Sequence, residues 1–167
     1  MGVGTRLLFV GINPGLRSAQ LGQHFAGRSN RFWPALAASG LVPEGFGCQD
    51  QGRLPELGLG ITNLVARPTA RADQLDAAEL MAGAARLLAQ LDKWRGMYDI
   101  RVCAMLGITA YRVAFRCPKA VVGARPASGR PRWWVLHNPS GLNAHARLPD
   151  HVAGLKAAAA GAGLLVS

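Results

Sequence analysis

The sequence is short of cysteine, of acidic residues and of long apolar stretches, and each shortage excludes a class of protein. Its three cysteines, Cys48, Cys103 and Cys117, stand far apart, so the ligand spacing of a zinc or iron–sulfur site is absent. An odd number of cysteines without a signal peptide favours a reducing cytoplasm of bacterial type. No apolar stretch approaches the roughly 20 residues of a transmembrane helix. We therefore expect a cytoplasmic protein that contacts no membrane and needs no metal or cofactor.

Acidic residues are outnumbered by basic ones, with 9 Asp and Glu against 19 Lys and Arg and a formal net charge of +10. Lysine occurs only at Lys93, Lys119 and Lys156, so most of the positive charge lies on arginine. The guanidinium group of arginine donates two parallel hydrogen bonds to a phosphate. A basic, arginine-rich chain that is 50% hydrophobic predicts a globular protein that binds nucleic acid or another polyanion. A coding bias towards arginine and alanine would explain the same composition.

What the sequence does contain is a regular alternation of apolar runs and helical patterns, which predicts one domain over residues 1–167. The predicted β-strands are Arg6–Val10, Leu59–Val65, Arg101–Leu106 and Trp133–Leu136. The predicted helices are Ser29–Ala38, Asp76–Trp94, Thr109–Phe115 and Pro149–Ala162. Strands that alternate with helices imply a mainly parallel sheet covered on both faces. We expect an α/β fold, a three-layer α/β/α sandwich around four to five strands.

Two local patterns refine this expectation. Asp76 is followed three residues later by Glu79, and this spacing predicts a capping box at the start of the longest helix. The segment Cys117–Arg132 is rich in glycine, proline and arginine, so we expect a surface loop or a ragged hairpin there.

The two most unusual peptides of the chain each follow a predicted strand. Residues 11–15 read GINPG after the first strand, and residues 138–141 read NPSG after the fourth. In parallel α/β sheets, ligands bind beyond the carboxyl ends of the strands. We therefore expect both peptides to converge on one crevice.

Four segments in order carry a resemblance to a known family: GINPG at 11–15, HFAGRSNRFW at 24–33, ITNLVARPT at 61–69 and NPSGLN at 138–143. With them the chain resembles the mismatch-specific uracil-DNA glycosylases, a uracil/thymine branch of the uracil-DNA glycosylase superfamily, from about Leu7 to Leu155. The resemblance implies a base-excision-repair hydrolase that flips uracil out of duplex DNA, especially from G·U mismatches. It would hydrolyse the N-glycosidic bond and leave an abasic site. We expect it to bind DNA as a monomer.

The resemblance also assigns roles to individual residues. Asn13 would hold the attacking water beneath the sugar C1′, and an amide can orient water but cannot take up its proton. The aromatic ring of Phe25 would stack on the base. The residues expected to contact the substrate are Gly11, Ile12, Gly15, Ser18, Phe25 and Asn138, with the backbone N–H groups of Ile12 and Phe25 on the uracil carbonyl oxygens. A turn residue at Asn13 and a core aromatic at Phe25 are the alternative interpretations.

Acidic residues near these segments are few, and Asp73 is the candidate that we single out. It follows the RPT peptide at 67–69 and precedes the longest helix. Our hypothesis is that Asp73 points into the crevice and assists Asn13 as base and as counter-charge. A helix-capping or salt-bridged surface aspartate is an equal alternative, and Asn30 is expected to cap the helix that follows it.

The resemblance predicts which residues meet the DNA. Gly141, Leu142 and Asn143 look like the segment that wedges into the duplex to replace the flipped base, and Ser140 before them is expected to contact the DNA. Arg17 and Ser18 follow GINPG and are expected at phosphates. Family members often carry an arginine soon after the wedge, and Arg147 is the arginine in that region here.

Gly15 and the scarcity of lysine bear on specificity and on mechanism. Strict uracil enzymes resemble this superfamily but place a bulky aromatic near the uracil C5 atom, so a glycine predicts tolerance of thymine or of modified cytosines. No lysine lies in any of the four segments, so we expect no Schiff-base lyase step. Two alternatives stay open: a DNA-lesion binder that does not cleave, and the same fold acting on deaminated purines such as hypoxanthine.

Overall fold

The computed structural model describes residues 2–126 and 129–164. Its sheet has five strands in the order β2-β1-β3-β5-β4. The strands are β1 Leu7–Gly11, β2 Leu59–Asn63, β3 Val102–Leu106, β4 Gly123–Ala124 and β5 Arg132–Leu136. The pairings β1–β2, β1–β3 and β3–β5 are parallel, and only the short β4 runs antiparallel to its neighbour among the described strands. The predicted mixed α/β fold with a mainly parallel sheet is confirmed.

Five α-helices and two 3₁₀ segments connect the strands in the described residues. The helices are α1 Leu16–Leu21, α2 Phe32–Ala38, α3 Ala77–Trp94, α4 Ile108–Ala114 and α5 Leu148–Gly161. The 3₁₀ segments are Cys48–Leu57 and Ala72–Gln74. None of the helices in the described part of the chain is both long and apolar enough to cross a membrane.

Helices cover both faces of the sheet, and every residue of the interior strand β1 is buried between them. Leu7 and Phe9 belong to the core under α2 and α5, whereas Leu8 and Val10 belong to the core under α3 and α4. Successive side chains of a strand point to opposite faces, so an unbroken apolar strand has to be covered on both sides. This arrangement is the three-layer sandwich that the sequence predicted.

The start of α3 confirms the predicted capping box. The backbone N–H of Glu79 donates to the Asp76 carboxylate over 2.8 Å, and the Asp76 N–H donates to the Glu79 carboxylate over 3.0 Å. Each carboxylate thus satisfies an N–H that has no partner inside the helix. Asn30 likewise accepts the N–H of Phe32 over 2.9 Å at the start of α2, as expected.

Three helical elements were not predicted, and the shortest of them is the 3₁₀ segment Ala72–Gln74. Helix α1 is a short turn-and-a-half between Gly15 and Gly22, and Gly22 ends it in a left-handed conformation with φ 62°. The 3₁₀ segment Cys48–Leu57 contains Gly52 and Pro55, which interrupt any α-helical pattern. In the region 117–132, where residues 127 and 128 lie outside the described part, β4 and β5 form the ragged hairpin that was expected.

Candidate active site

A cleft of about 590 Å³ lies at the carboxyl edge of the sheet, where the peptides after β1 and β5 meet. Its volume is typical of a pocket for a small organic ligand. The predicted site residues that line it are Ile12, Asn13, Gly15, Arg17, Ser18, Phe25, Asn138, Ser140, Gly141 and Leu142. The lining described here does not include Gly11, Asp73, Asn143 or Arg147. The two unusual peptides do converge on one crevice.

Two hydrogen bonds from its side-chain nitrogen hold the Asn13 amide in one orientation. Nδ2 donates to the carbonyl oxygen of Arg67 over 2.8 Å and to the hydroxyl oxygen of Thr69 over 2.7 Å. The Thr69 hydroxyl donates onward to the Arg71 carbonyl over 2.8 Å, so it accepts from Asn13. No described residue donates to Asn13 Oδ1, which therefore remains an acceptor in the cleft. An amide fixed in this way can accept one hydrogen of a bound water.

Phe25 forms a wall of the cleft and takes an unusual backbone conformation, with φ 55°. Its ring lies 4.3 Å from that of Phe32, centroid to centroid, so the buried core supports one side of it. A Cβ atom added to Gly11 would lie 3.1 Å from the Phe25 ring and 2.5 Å from Asn63 Oδ1. Gly11 has no side chain, and this lets the Phe25 ring and the Asn63 amide both approach the end of β1.

Phe25 belongs to a loop, residues 22–30, that we call the base-stacking loop after the role that the resemblance predicts for Phe25. The Ser18 hydroxyl accepts the N–H of Ala26 over 3.0 Å, and Arg17 Nε donates to the Ala26 carbonyl over 3.1 Å. Trp33 Nε1 donates to the His24 carbonyl over 2.8 Å. These contacts hold the loop in place, and Ser18 is buried while performing this role.

Two asparagine amides at strand ends also line the cleft. Asn138 follows β5, and its Oδ1 accepts the N–H of Ser140 over 3.0 Å, which leaves its Nδ2 group as a donor for a ligand. Asn63 ends β2 directly beside Gly11 in the parallel pairing. Sequence reasoning missed Asn63, because the predicted strand continued to Val65 and so placed Asn63 inside the strand; the structure ends β2 at Asn63, at the carboxyl edge of the sheet.

We call residues 138–143 the wedge loop, after the role that the resemblance predicts for residues 141–143. Asn143 Nδ2 donates to the Asn138 carbonyl over 2.8 Å, and the Asn143 N–H donates to the Ser140 carbonyl over 2.9 Å. Leu142 is 74% exposed at its tip. The loop is therefore a closed turn that presents an apolar side chain to solvent beside the cleft.

Arg31 and Ser29, which sequence reasoning also missed, connect the wedge loop to the base-stacking loop. The Arg31 backbone N–H donates to the Pro139 carbonyl over 2.9 Å. Its Nη1 donates to the carbonyls of Ser140 over 3.3 Å and Asn143 over 3.1 Å. Gly141 lies so close to Ser29 that an added Cβ would overlap its side chain and stand 2.8 Å from its backbone oxygen. No local sequence pattern reveals such contacts between distant segments.

Asp73 lies outside the cleft lining described above and pairs with Arg71. The two side chains are joined by hydrogen bonds of 2.5 and 3.1 Å and are both largely exposed. This is the arrangement of the surface ion pair that the sequence left open as an alternative. Arg147 is exposed at the N-cap of α5, where its backbone N–H donates to Asp150 over 2.7 Å.

The ionisable side chains described in the cleft lining are either positively charged or neutral. Arg17 and Arg71 line it, and no Asp or Glu is among the described residues of its lining. Burial lowers the pKa of His24 below its ordinary value, so this ring at the cleft wall is neutral at neutral pH. The site thus offers positive charge to an anionic ligand but no carboxylate next to Asn13.

The fold and the cleft define an α/β protein with its ligand site at the carboxyl edge of a parallel sheet. A family model described as the uracil DNA glycosylase superfamily matches residues 2–158, and the chain belongs to that superfamily. Membership confirms the broader part of the resemblance: the chain is a DNA glycosylase by class, a hydrolase of DNA repair with DNA as its partner.

Proposed function

We propose that this protein is a monofunctional glycosylase that excises uracil from duplex DNA, above all from G·U mismatches, and leaves an abasic site. The observation that carries the proposal is the fixed amide of Asn13, whose Oδ1 remains an acceptor in a cleft that Arg17 and Arg71 also line. We further propose that the whole chain is one glycosylase domain, acting as a monomer on chromosomal DNA in the cytoplasm.

The base would be bound between an aromatic ring and several amides. Phe25 supplies a stacking face, which in nucleic-acid complexes is worth roughly 1–3 kcal/mol per base. The side-chain amides of Asn63 and Asn138 line the cleft and can pair with the polar edge of a pyrimidine. The backbone N–H groups of Ile12 and Phe25 are the proposed donors to the carbonyl oxygens of uracil.

Hydrolysis would begin with departure of the base. The C1′–N1 bond breaks, and its electron pair stays on uracil N1, which later takes a proton from solvent. The water on Asn13 Oδ1 then bonds through its oxygen to the cationic C1′ and releases a proton to solvent. Hydrogen-bond donors aimed at the charge that develops on uracil can each contribute roughly 10²–10³ in rate.

Gly15 would decide the breadth of the substrate range. A Cβ atom added at this position meets no heavy atom within 4 Å, so the space that a side chain would occupy belongs to the cleft. This space can accept the C5 methyl group of thymine or a modified cytosine. We propose slower excision of these bases, because the open pocket holds the base less firmly.

Asp73 remains a proposed assistant of Asn13. To act at the cleft it would have to leave its ion pair with Arg71. The Asp73→Asn variant tests this idea: an unchanged single-turnover rate would remove Asp73 from the mechanism, and a large loss with unchanged DNA binding would support it.

Two other functions have support in particular observations. The lack of an acid in the described cleft lining favours a lesion binder that captures the base without cleavage. The open volume next to Gly15 favours a deaminated purine such as hypoxanthine.

One experiment distinguishes the three functions. Duplexes with one uracil, thymine, ethenocytosine or hypoxanthine opposite guanine are incubated with the protein and then treated with alkali. Breaks at uracil support the main proposal, breaks at hypoxanthine alone support the purine enzyme, and tight binding without breaks supports the binder.

A further inference from the structure

Arg31 stands between the two loops that frame the cleft. Its guanidinium group donates to the carbonyls of Ser140 and Asn143 over 3.3 and 3.1 Å, at both ends of the segment that carries Leu142. Its backbone N–H donates to Pro139 over 2.9 Å. One residue, directly after the base-stacking loop, thus donates to three carbonyl groups of the wedge loop.

The residues on either side of Arg31 in the chain are also held in place, and they connect it to the base-stacking loop. Its neighbour Asn30 accepts the N–H of Phe32, and the Phe32 ring supports Phe25 at a centroid distance of 4.3 Å. Phe32 is 1% exposed, so this support is part of the core. Any shift of Arg31 relative to Phe25 would disturb a packed interior, which resists small displacements.

The described hydrogen bonds of the Arg31 side chain are formed with the backbone and not with acidic side chains. In the described residues its side chain forms no ion pair with an Asp or Glu, and backbone carbonyls are its partners. Hydrogen bonds from a charged donor are stronger than those between neutral groups. The guanidinium group therefore adds to the hydrogen bonds of Asn143 that hold the wedge loop, and it pairs with no acidic side chain in the described residues.

We propose that Arg31 is a positioning residue that joins the wedge loop to the base-stacking loop. Leu142 then enters the duplex from a surface fixed relative to Phe25. This inference rests on the proposed function and extends it: insertion of the wedge and capture of the flipped base take place on one rigid unit. Arg31 acts through Leu142 and touches neither the base nor the reacting atoms.

The first test compares duplex and single-stranded substrates. Arg31→Met should lower the single-turnover rate on U·G duplex about tenfold, the effect of losing a charged hydrogen bond to a loop, while single-stranded uracil DNA is cleaved within about twofold of wild type. Arg31→Lys should recover part of the duplex rate. Equal losses on both substrates would overturn the proposal, because single strands need no wedge.

A double-mutant cycle with Leu142→Ala provides a second test. If Arg31 acts through Leu142, Arg31→Met should cost almost nothing on duplex DNA once Leu142 is alanine. Additive losses would show that Arg31 works elsewhere. The control is Arg112→Met, because Arg112 also donates to a loop carbonyl, that of Ala120 over 2.9 Å, but lies outside the cleft.

A third measurement does not depend on catalysis. A duplex with 2-aminopurine next to a non-cleavable abasic analogue should become more fluorescent when the wild type inserts its wedge. Arg31→Met should give less than half of this increase, and Arg112→Met the full increase. A full increase with Arg31→Met overturns the inference. Absence of uracil release by the wild type would instead overturn the proposed function, so the two failures are distinguishable.

Discussion

The side-chain nitrogen of Asn13 donates to the Thr69 hydroxyl oxygen over 2.7 Å, and this hydroxyl donates in turn to the Arg71 carbonyl. The direction of both bonds is determined, since Asn13 also donates to the Arg67 carbonyl, which can only accept. Thr69, in the RPT peptide, thus helps to orient the Asn13 amide so that its Oδ1 atom points into the cleft.

Replacement of Thr69 by valine should impair chemistry without impairing DNA binding. Valine keeps the shape of threonine but cannot accept from Asn13, so the amide loses one of its two fixed contacts. We expect the single-turnover rate on U·G duplex to fall roughly 5- to 30-fold, which corresponds to about 1–2 kcal/mol for one hydrogen bond. The matched control is Thr109→Val, at an exposed position outside the cleft. Equal rates for wild type and Thr69→Val would contradict the assigned role of Asn13.

Gly15→Tyr should narrow the substrate range. Gly15 has φ −70°, which any residue adopts, and its side-chain direction is open, so the substitution should leave the fold intact. We expect excision of thymine and ethenocytosine to fall by roughly 10- to 200-fold relative to uracil, the discrimination that a methyl group gives in a closed pocket. Competition assays on mixed duplexes measure this ratio. An equal loss on all bases would mean that Gly15 does not lie at the C5 side.

Gly141→Ala should push the wedge loop away from the base-stacking loop. The added Cβ would overlap the Ser29 side chain and stand 2.8 Å from its backbone oxygen. We expect a larger loss on duplex than on single-stranded uracil DNA, with partial recovery in the double variant Ser29→Gly/Gly141→Ala. Gly52→Ala is the control, since a Cβ there meets nothing within 4 Å. A Gly141→Ala enzyme with full duplex activity would contradict the close contact.

The Arg67–Glu79 ion pair should make stability fall in acid. Arg67 lowers the pKa of Glu79 from 4.5 to about 2, chiefly through a direct hydrogen bond. Because the folded pKa is the lower one, the pair stabilises the protein above about pH 4.5, and this contribution is lost as pH falls towards 2. Calorimetry should show that Tm falls less steeply with acid in Glu79→Gln than in the wild type. The control is Glu56→Gln, at an exposed residue that forms no ion pair in the described part of the chain. Parallel curves for Glu79→Gln and wild type would contradict the assignment.

Local signals in the sequence were sufficient for the four longer strands, for the caps at Asn30 and Asp76 and for the position of the cleft. The Asp76–Glu79 cap depends on residues three apart, and β1 is buried on both faces because it is apolar without interruption. The carboxyl-edge rule then placed Asn13 and Asn138 in one crevice.

The contacts that complete the site could not be predicted, because they join distant segments. Arg31 meets Ser140 and Asn143 only after folding has brought the start of α2 beside the loop that follows β5. Asp73 was expected in the crevice, but an arginine two residues away competes for its carboxylate on the surface. Short helices such as α1 also carry too few residues for a periodic pattern.

The most direct test of the central claim is release of uracil from a U·G duplex by the wild type and by Asn13→Ala. Abasic sites are converted to strand breaks with alkali and counted under single-turnover conditions, with DNA binding measured in parallel. The account predicts breaks with the wild type and a rate at least about 10²-fold lower with Asn13→Ala at unchanged binding. Equal rates for the two proteins, or no breaks with the wild type at full occupancy, would contradict it.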